Sequence, residues 1–147
     1  LIVIGGHDNE KSNKLLFQNK NIEFVGFKKR DEINDYYRKA SFLIFPSLCN
    51  EAGIPLTFLE ALNSELPILA SNRYPQKEII KNNFNGYIYE IDSDVDFSEK
   101  VQKLINSSSL RKEFGKNSKK LYLKNYDYNQ SYQKLLEVYE TIIDRSK

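Results

Sequence analysis

The stretch Ser41 to Ser71 reads SFLIFPSLCNEAGIPLTFLEALNSELPILAS. It opens on a short apolar run, Ser41 to Pro46, and closes on another, Pro67 to Ser71. Runs this short and continuously apolar suit strands covered on both faces, as in parallel sheets. Between them, Pro55 to Asn63 reads as a helix with proline near its first turn, where a missing N–H is harmless. Strand, loop, helix and strand make one crossover unit of an open α/β sheet, and such crossovers are right-handed.

Outward from this unit the pattern repeats. Leu1 to Ile4 runs into Gly5-Gly6, Asn21 to Gly26 is again closed by glycine, and Gly86 to Ile91 is a further strand candidate. Asp31 to Ala40 reads as a helix with acids in its first turn and bases in its last, as the helix dipole favours. Its apolar positions Ile33, Tyr36, Tyr37 and Ala40 share one face. Gln76 to Asn82 is a shorter helix. After Asp92 the strands stop. Asp96 to Ile105 aligns Phe97, Val101, Leu104 and Ile105, and Ser107 to Tyr122 follows. Asn129 to Asp144 carries a stripe of Tyr132, Leu135, Leu136, Tyr139, Ile142 and Ile143, expected to pack into the core. The class is α/β, a Rossmann-like open parallel sheet with helices on both faces and a helical C-terminal segment.

Composition narrows the function. The 147 residues are 40% hydrophobic and 29% charged, as in an ordinary globular domain. A formal charge of +2 is too small to argue for nucleic acid or an anionic membrane. Lys28-Lys29-Arg30 reads as a solvated loop. The single cysteine, Cys49, excludes an internal disulfide framework and suits a reducing compartment, so a cytoplasmic setting is expected. With one histidine, His7, and no cysteine pair, no metal site is expected. The chain has no methionine and its first residue already reads as mid-strand, the expectation for a piece of a longer protein.

Ligands of such sheets sit at the carboxyl ends of the strands. Ser47 to Gly53 leaves its strand at that end and feeds the helix that begins near Pro55. A loop entering a helix N-terminus presents free N–H groups and partial positive charge, which suits phosphate. Gly53, lacking Cβ, lets a ligand come close to the backbone. Glu60, about one and a half turns into the helix, suits ribose hydroxyls, and Glu51 suits those of a sugar. Together they suggest a ligand rich in hydroxyls and phosphates, a nucleotide-sugar. On spacing alone, an exposed loop acid and a solvent-facing helix acid are the simpler account of the two glutamates. The stretch matches neither a Walker loop nor a Gly-x-Gly-x-x-Gly fingerprint. Gly5-Gly6-His7-Asp8 is a second glycine-rich turn at a strand end, with a plain βα turn as its alternative.

The order of segments is more telling than any one of them. Ile4-Gly5-Gly6 is followed by Asn21-Ile22-Glu23-Phe24-Val25-Gly26, Tyr37-Arg38-Lys39-Ala40 and Phe45-Pro46-Ser47. Glu60-Ala61-Leu62, Pro67-Ile68-Leu69-Ala70-Ser71, Glu78-Ile79-Ile80 and Asn85-Gly86-Tyr87 come next, then Leu110-Arg111-Lys112-Glu113-Phe114-Gly115. Over nearly the whole chain this series resembles the C-terminal, donor-binding domain of retaining GT-B glycosyltransferases of the family 4 group.

The resemblance implies roles. Glu51 matches the first of the family's paired glutamates, the candidate catalytic acid that contacts the donor sugar, and Glu60 the second, which meets the ribose. Gly53, Ile54 and Pro55 match the turn at the sugar and diphosphate, with Leu56 and Thr57 at the helix start beside it. Ser47, which opens that loop, is a donor-binding candidate as well. Gly26 and Phe27 match the turn that holds the base, and Gly5 and Gly6 the first glycine turn. The family places one residue fewer between its glutamates than the eight found here, so either the loop is longer by one or Ala52 fills the first slot.

The resemblance further implies one donor domain over residues 1–147, truncated on its N-terminal side. Upstream would lie a catalytic Arg and Lys that offset the leaving diphosphate, and an N-terminal acceptor domain. The donor would be UDP-, GDP- or ADP-linked, with no metal or other cofactor. The intact enzyme would transfer sugar to an acceptor hydroxyl in glycan or polysaccharide biosynthesis, with peripheral attachment to the inner face of the membrane through the absent half. Two alternatives stay open: a non-enzymatic α/β domain binding a nucleotide or a protein, and a GT-B nucleotide-sugar epimerase.

Overall fold

A computed structural model describes residues 1–5 and 19–145. The chain divides into two compact units, Leu1–Lys39 and Ala40–Lys147.

In the first unit, β1 (Ile2–Ile4) and β2 (Glu23–Gly26) pair in parallel, with Val3 opposite Phe24 and an irregularity in register between Val3 and Ile4. Ile2 and Ile4 are exposed, unlike the strand covered on both faces that their apolar run implied. Helix α1 (Arg30–Lys39) has Asp31 and Glu32 in its first turn and Arg38 and Lys39 in its last. Glu32 Oε2 accepts from the Lys29 N–H at 2.9 Å, satisfying a donor that the helix start would leave free. Ile33, Tyr36 and Tyr37 are half-buried as their spacing predicts. Ala40 is not on that face; it lies past the helix end and is exposed.

The second unit holds a three-stranded parallel sheet in the order β3 (Leu43–Phe45), β4 (Ile68–Ser71), β5 (Gly86–Tyr89). Helix α2 (Leu56–Asn63) connects β3 to β4, and the short α3 (Gln76–Ile79) connects β4 to β5. Then come α4 (Asp94–Asn106), α5 (Ser108–Asn125) and α6 (Tyr128–Arg145). The parallel pairing thus falls into a two-stranded and a three-stranded sheet. Every residue of β4 and β5 is buried, the expected fate of such runs.

One face of the three-stranded sheet packs Leu69, Tyr87 and Tyr89 against Leu104 of α4 and Phe114 of α5. Tyr87 meets Phe114 edge-on at 5.4 Å, and Tyr89 meets Phe97 at 4.9 Å. Phe45, on the opposite face from Ile44 by strand alternation, meets Phe58 of α2 at 4.7 Å. Each large side chain taken from water here contributes about 1.5–3 kcal/mol. Of the expected α4 stripe, Leu104 is buried, but Ile105 is 53% exposed and does not belong to it. Helix α3 stops at Ile79, three residues before the expected end. Asn85 draws the chain back: its amide donates to the Ile79 carbonyl at 3.1 Å, and its Oδ1 accepts from the Lys81 N–H at 2.7 Å.

No residue of α6 is buried, and Leu135, Tyr139, Ile142 and Ile143 are each at least half exposed. Its stripe exists as the spacing predicts but does not pack into the core. No helix among the described residues is long and apolar enough to cross a membrane.

Beside β5, the Asp96 carboxylate accepts from the Glu90 N–H at 2.8 Å and pairs with Lys100 at 2.6 Å. Lys100 also donates to the Ile88 carbonyl at 2.7 Å. The Lys100 hydrogen bond, then that from Glu90, holds the Asp96 carboxyl below its usual range. A lowered folded pKa stabilises above the ordinary aspartate range, and that stabilisation is lost as pH falls through it. Asp96→Asn should therefore cost about 1 kcal/mol near neutral pH. The difference from the unaltered chain should shrink below pH about 4, as denaturant titrations across pH will show.

Candidate functional site

β3 delivers the chain to the carboxyl end of its sheet, and Pro46 to Pro55 cross that end before α2 begins. The Ser47 hydroxyl donates to Glu51 Oε1 at 3.0 Å and accepts from the Cys49 N–H at 3.3 Å, closing a tight loop. Glu51 is half-buried, and its N–H donates to the Tyr74 carbonyl at 3.0 Å. Ala52, the other occupant considered for this slot, is exposed and carries no polar side chain. The Ser47 and Tyr74 hydrogen bonds hold Glu51 in the loop.

At Gly53, a Cβ would meet no heavy atom within 4 Å, so packing does not demand glycine there. Gly53→Ala should leave stability unchanged to within about 0.5 kcal/mol, read as an unmoved melting temperature. It should weaken any ligand that lies against this backbone by about tenfold, readable by titration calorimetry. Pro55 takes the N-cap position of α2 and supplies no side-chain hydrogen bond. The first-turn N–H groups thus lack the side-chain acceptor that α4 and α5 have. Ser93 caps α4 by accepting from Asp96 N–H at 3.1 Å, and Ser107 caps α5 by accepting from Leu110 N–H at 3.1 Å. An uncapped, dipole-positive helix end behind an open glycine suits an anion.

Phe58, Ala61 and Leu62 anchor the inward side of α2. Thr57 and Glu60, one helical turn apart on a common side, are half-buried, as are Ile54 and Pro55, while Leu56 is 72% exposed. Glu60 stands about 6 Å along the axis from Leu56. It is not the fully solvent-facing acid that spacing alone suggested.

In the first unit, Gly5 and Gly26 end their strands at φ 138° and φ 68°, conformations that side chains rarely adopt. The Gly5 N–H donates to the Gly26 carbonyl at 3.0 Å, so the two turns are joined. Phe27, next in sequence, is 84% exposed. Gly6 and His7 lie outside the described residues.

The segment Asn72–Tyr74 carries no recognisable motif in the sequence. It lies at the end of β4 and touches the Glu51 loop repeatedly. Its only sequence signal is its place after a strand, at the sheet edge where ligands bind. A groove of about 580 Å³, lined by Glu99, Gln102, Lys103, Asn106 and Leu110 among others, lies on α4 and the start of α5 and involves none of the candidate residues. Among the described residues no cluster of His, Cys, Asp and Glu could hold a metal ion.

The family model "Glycosyl transferases group 1" matches residues 1–121. An uncharacterized glycosyltransferase of Methanocaldococcus jannaschii is 32% identical over 123 residues, 84% of this chain and 34% of that protein. The capsular polysaccharide biosynthesis glycosyltransferase CapM of Staphylococcus aureus is 27% identical over 150 residues, 100% of this chain and 39% of that protein. In fold, the chain superimposes on Anabaena HepE, solved with UDP and glucose, with TM-score 0.81 at 15% identity, covering 95% of this chain and 40% of that one. The chain thus spans little more than a third of the length of the curated relatives it matches. With the family model matching most of its length, it belongs to the group 1 glycosyl transferases and has the fold of a GT-B C-terminal domain.

Proposed function

We propose that this chain binds the nucleotide-sugar donor of a retaining glycosyltransferase whose intact form transfers sugar to an acceptor hydroxyl. The observation that carries the proposal is the uncapped N-terminus of α2 behind the open Gly53 turn. In this arrangement the amides of Leu56 and Thr57 face the diphosphate, Glu60 accepts from ribose hydroxyls, and Glu51 accepts from the sugar. Ser47 holds Glu51 in place. By the family resemblance alone, Gly5, Gly6, Gly26 and Phe27 are further donor-binding candidates, Gly26 and Phe27 for the base.

The activity of the whole protein follows from the same proposal. Cations upstream of Leu1 offset charge on the departing diphosphate, and an acceptor domain completes the cleft. Held geometry and charge stabilisation supply the rate, with no metal cofactor. Capsular polysaccharide biosynthesis by the CapM relative supports a polysaccharide product. A cytoplasmic setting, with attachment to the inner face of the membrane through the rest of the protein, belongs to the same proposal.

UDP in the HepE crystal makes uracil the first base to test. Calorimetric titration of the chain with UDP, GDP, ADP and their glucose or mannose conjugates should give saturable binding for one base. Binding of none of them overturns the proposal.

A further inference from the structure

The loop that carries Glu51 is held by a second loop. At the last residue of β4, the Ser71 hydroxyl donates to the Ser47 carbonyl. Arg73 Nε donates to the Leu48 carbonyl at 3.0 Å, and the Tyr74 N–H donates to Asn50 Oδ1 at 3.3 Å. The Glu51 N–H returns to the Tyr74 carbonyl at 3.0 Å. From Ser47 to Glu51, only Cys49 lacks a tie to this segment among the contacts described.

The holding segment is itself anchored. Gln76 is fully buried; with its side-chain amide turned so that the nitrogen faces them, it donates to the Arg73 carbonyl at 3.0 Å and the Tyr74 carbonyl at 2.9 Å. Asn72 donates through its N–H to the Tyr89 carbonyl at 2.8 Å and through its amide to Glu90 Oε2 at 2.6 Å. The two loops are therefore tied along their length, and their mutual register sets where the Glu51 carboxylate stands. Of the ties between them, only that of Arg73 is charge-assisted, the stronger class of hydrogen bond.

We propose that Arg73 is a positioning residue that fixes Glu51 against the sugar, and so sets how far the site prefers a nucleotide-sugar to the bare nucleoside diphosphate. This rests on the donor-binding function proposed above. The physical reason for selectivity is the separate support of the two parts. Glu60 and the α2 amides sit on a helix anchored by buried Phe58 and Leu62. Glu51 sits on a loop of exposed and half-buried residues whose place depends on its neighbour. Loosening that loop costs contacts with the sugar and leaves those with the diphosphate.

The test titrates matched pairs into the chain: UDP with UDP-glucose, GDP with GDP-mannose, ADP with ADP-glucose. For the pair bound, Arg73→Ala should weaken the nucleotide-sugar about tenfold and leave the diphosphate within about twofold. Arg73→Lys, which keeps a cationic donor, should recover most of the loss. Asn50→Ala removes the Tyr74 tie from an exposed position and should give a smaller loss of the same selectivity, even if Arg73→Ala lowers the melting temperature. Equal loss for both members of the pair, or no loss in either alanine variant, overturns the assignment. Failure of the unaltered chain to bind any pair overturns the donor-binding function itself, and this assignment with it.

Discussion

Gly86→Ala is expected to destabilise the second unit by about 3 kcal/mol, the upper part of the usual range for overpacking. Gly86 opens β5 opposite Ile68 of β4. A Cβ built there would lie 1.9 Å from the Ile68 carbonyl oxygen and under 3.0 Å from two further backbone atoms of Ile68. Backbone atoms in a buried parallel ladder cannot swing aside as a lysine tip could. β5 must shift, and its registry with Ile68, Leu69, Ala70 and Ser71 is strained along its length. The melting temperature should fall by roughly 10 °C, measured by circular dichroism or scanning calorimetry. Alanine at Gly115 meets the same obstacle, 2.2 Å from the Glu65 carbonyl oxygen. Its gain in helix propensity, about 1 kcal/mol, is outweighed. Alanine at Gly53 meets nothing, so the fold requires glycine at the first two positions and not at the third.

Glu60→Gln is expected to give the largest loss of ligand affinity. Glutamine keeps the length, the hydrogen-bonding plane and nearly the helix propensity of glutamate, so α2 should persist. What changes is the acceptor: a carboxylate taking two hydroxyl donors becomes an amide with one acceptor oxygen and an NH₂ group turned toward donors. Hydrogen bonds to a charged group contribute about 1.5–3 kcal/mol, so the dissociation constant for the nucleotide should rise roughly 10- to 100-fold. Both nucleoside diphosphate and nucleotide-sugar should suffer, since Glu60 is assigned to the ribose. A loss confined to the sugar conjugate would exchange its role with that of Glu51.

Much of this structure was legible before any coordinates. The strands Leu43–Phe45, Ile68–Ser71 and Gly86–Tyr89 fall inside the apolar runs that predicted them; the last two are buried along their whole length, while Leu43–Phe45 is half-buried. α2 was readable from Pro55 and the apolar positions after it. Where periodicity misled, tertiary placement prevailed. The α6 stripe has helical spacing, yet burial depends on what lies opposite, which spacing does not encode. α3 ended early because one buried asparagine satisfied the backbone in another way. Ile105 has the right spacing for its stripe but the wrong angle once α4 is seated on β5.

The candidate site was legible only in part. Glu51, Gly53 and Glu60 could be picked out because acids and a glycine at a strand-to-helix turn carry a chemical meaning. The segment Asn72–Gln76 could not. Its contribution is a set of contacts to the Ser47–Glu51 loop some 24 residues earlier, and no local pattern records a pairing at that distance. Gly5 and Gly26 were named for their type, but the hydrogen bond joining their turns depends on parallel strand pairing.

The central physical claim is that the backbone from Gly53 to Thr57, with Glu60 behind it, forms a wall against which a nucleotide diphosphate lies. Amide chemical-shift mapping of the ¹⁵N-labelled chain during titration with UDP and UDP-glucose addresses it residue by residue. The expected result is a saturable shift in the amides of Gly53, Ile54, Leu56 and Thr57 with either ligand, joined by Glu51 only when the sugar is present. Saturable binding that leaves those four amides unmoved while shifting others elsewhere, such as the α4–α5 groove, would contradict it.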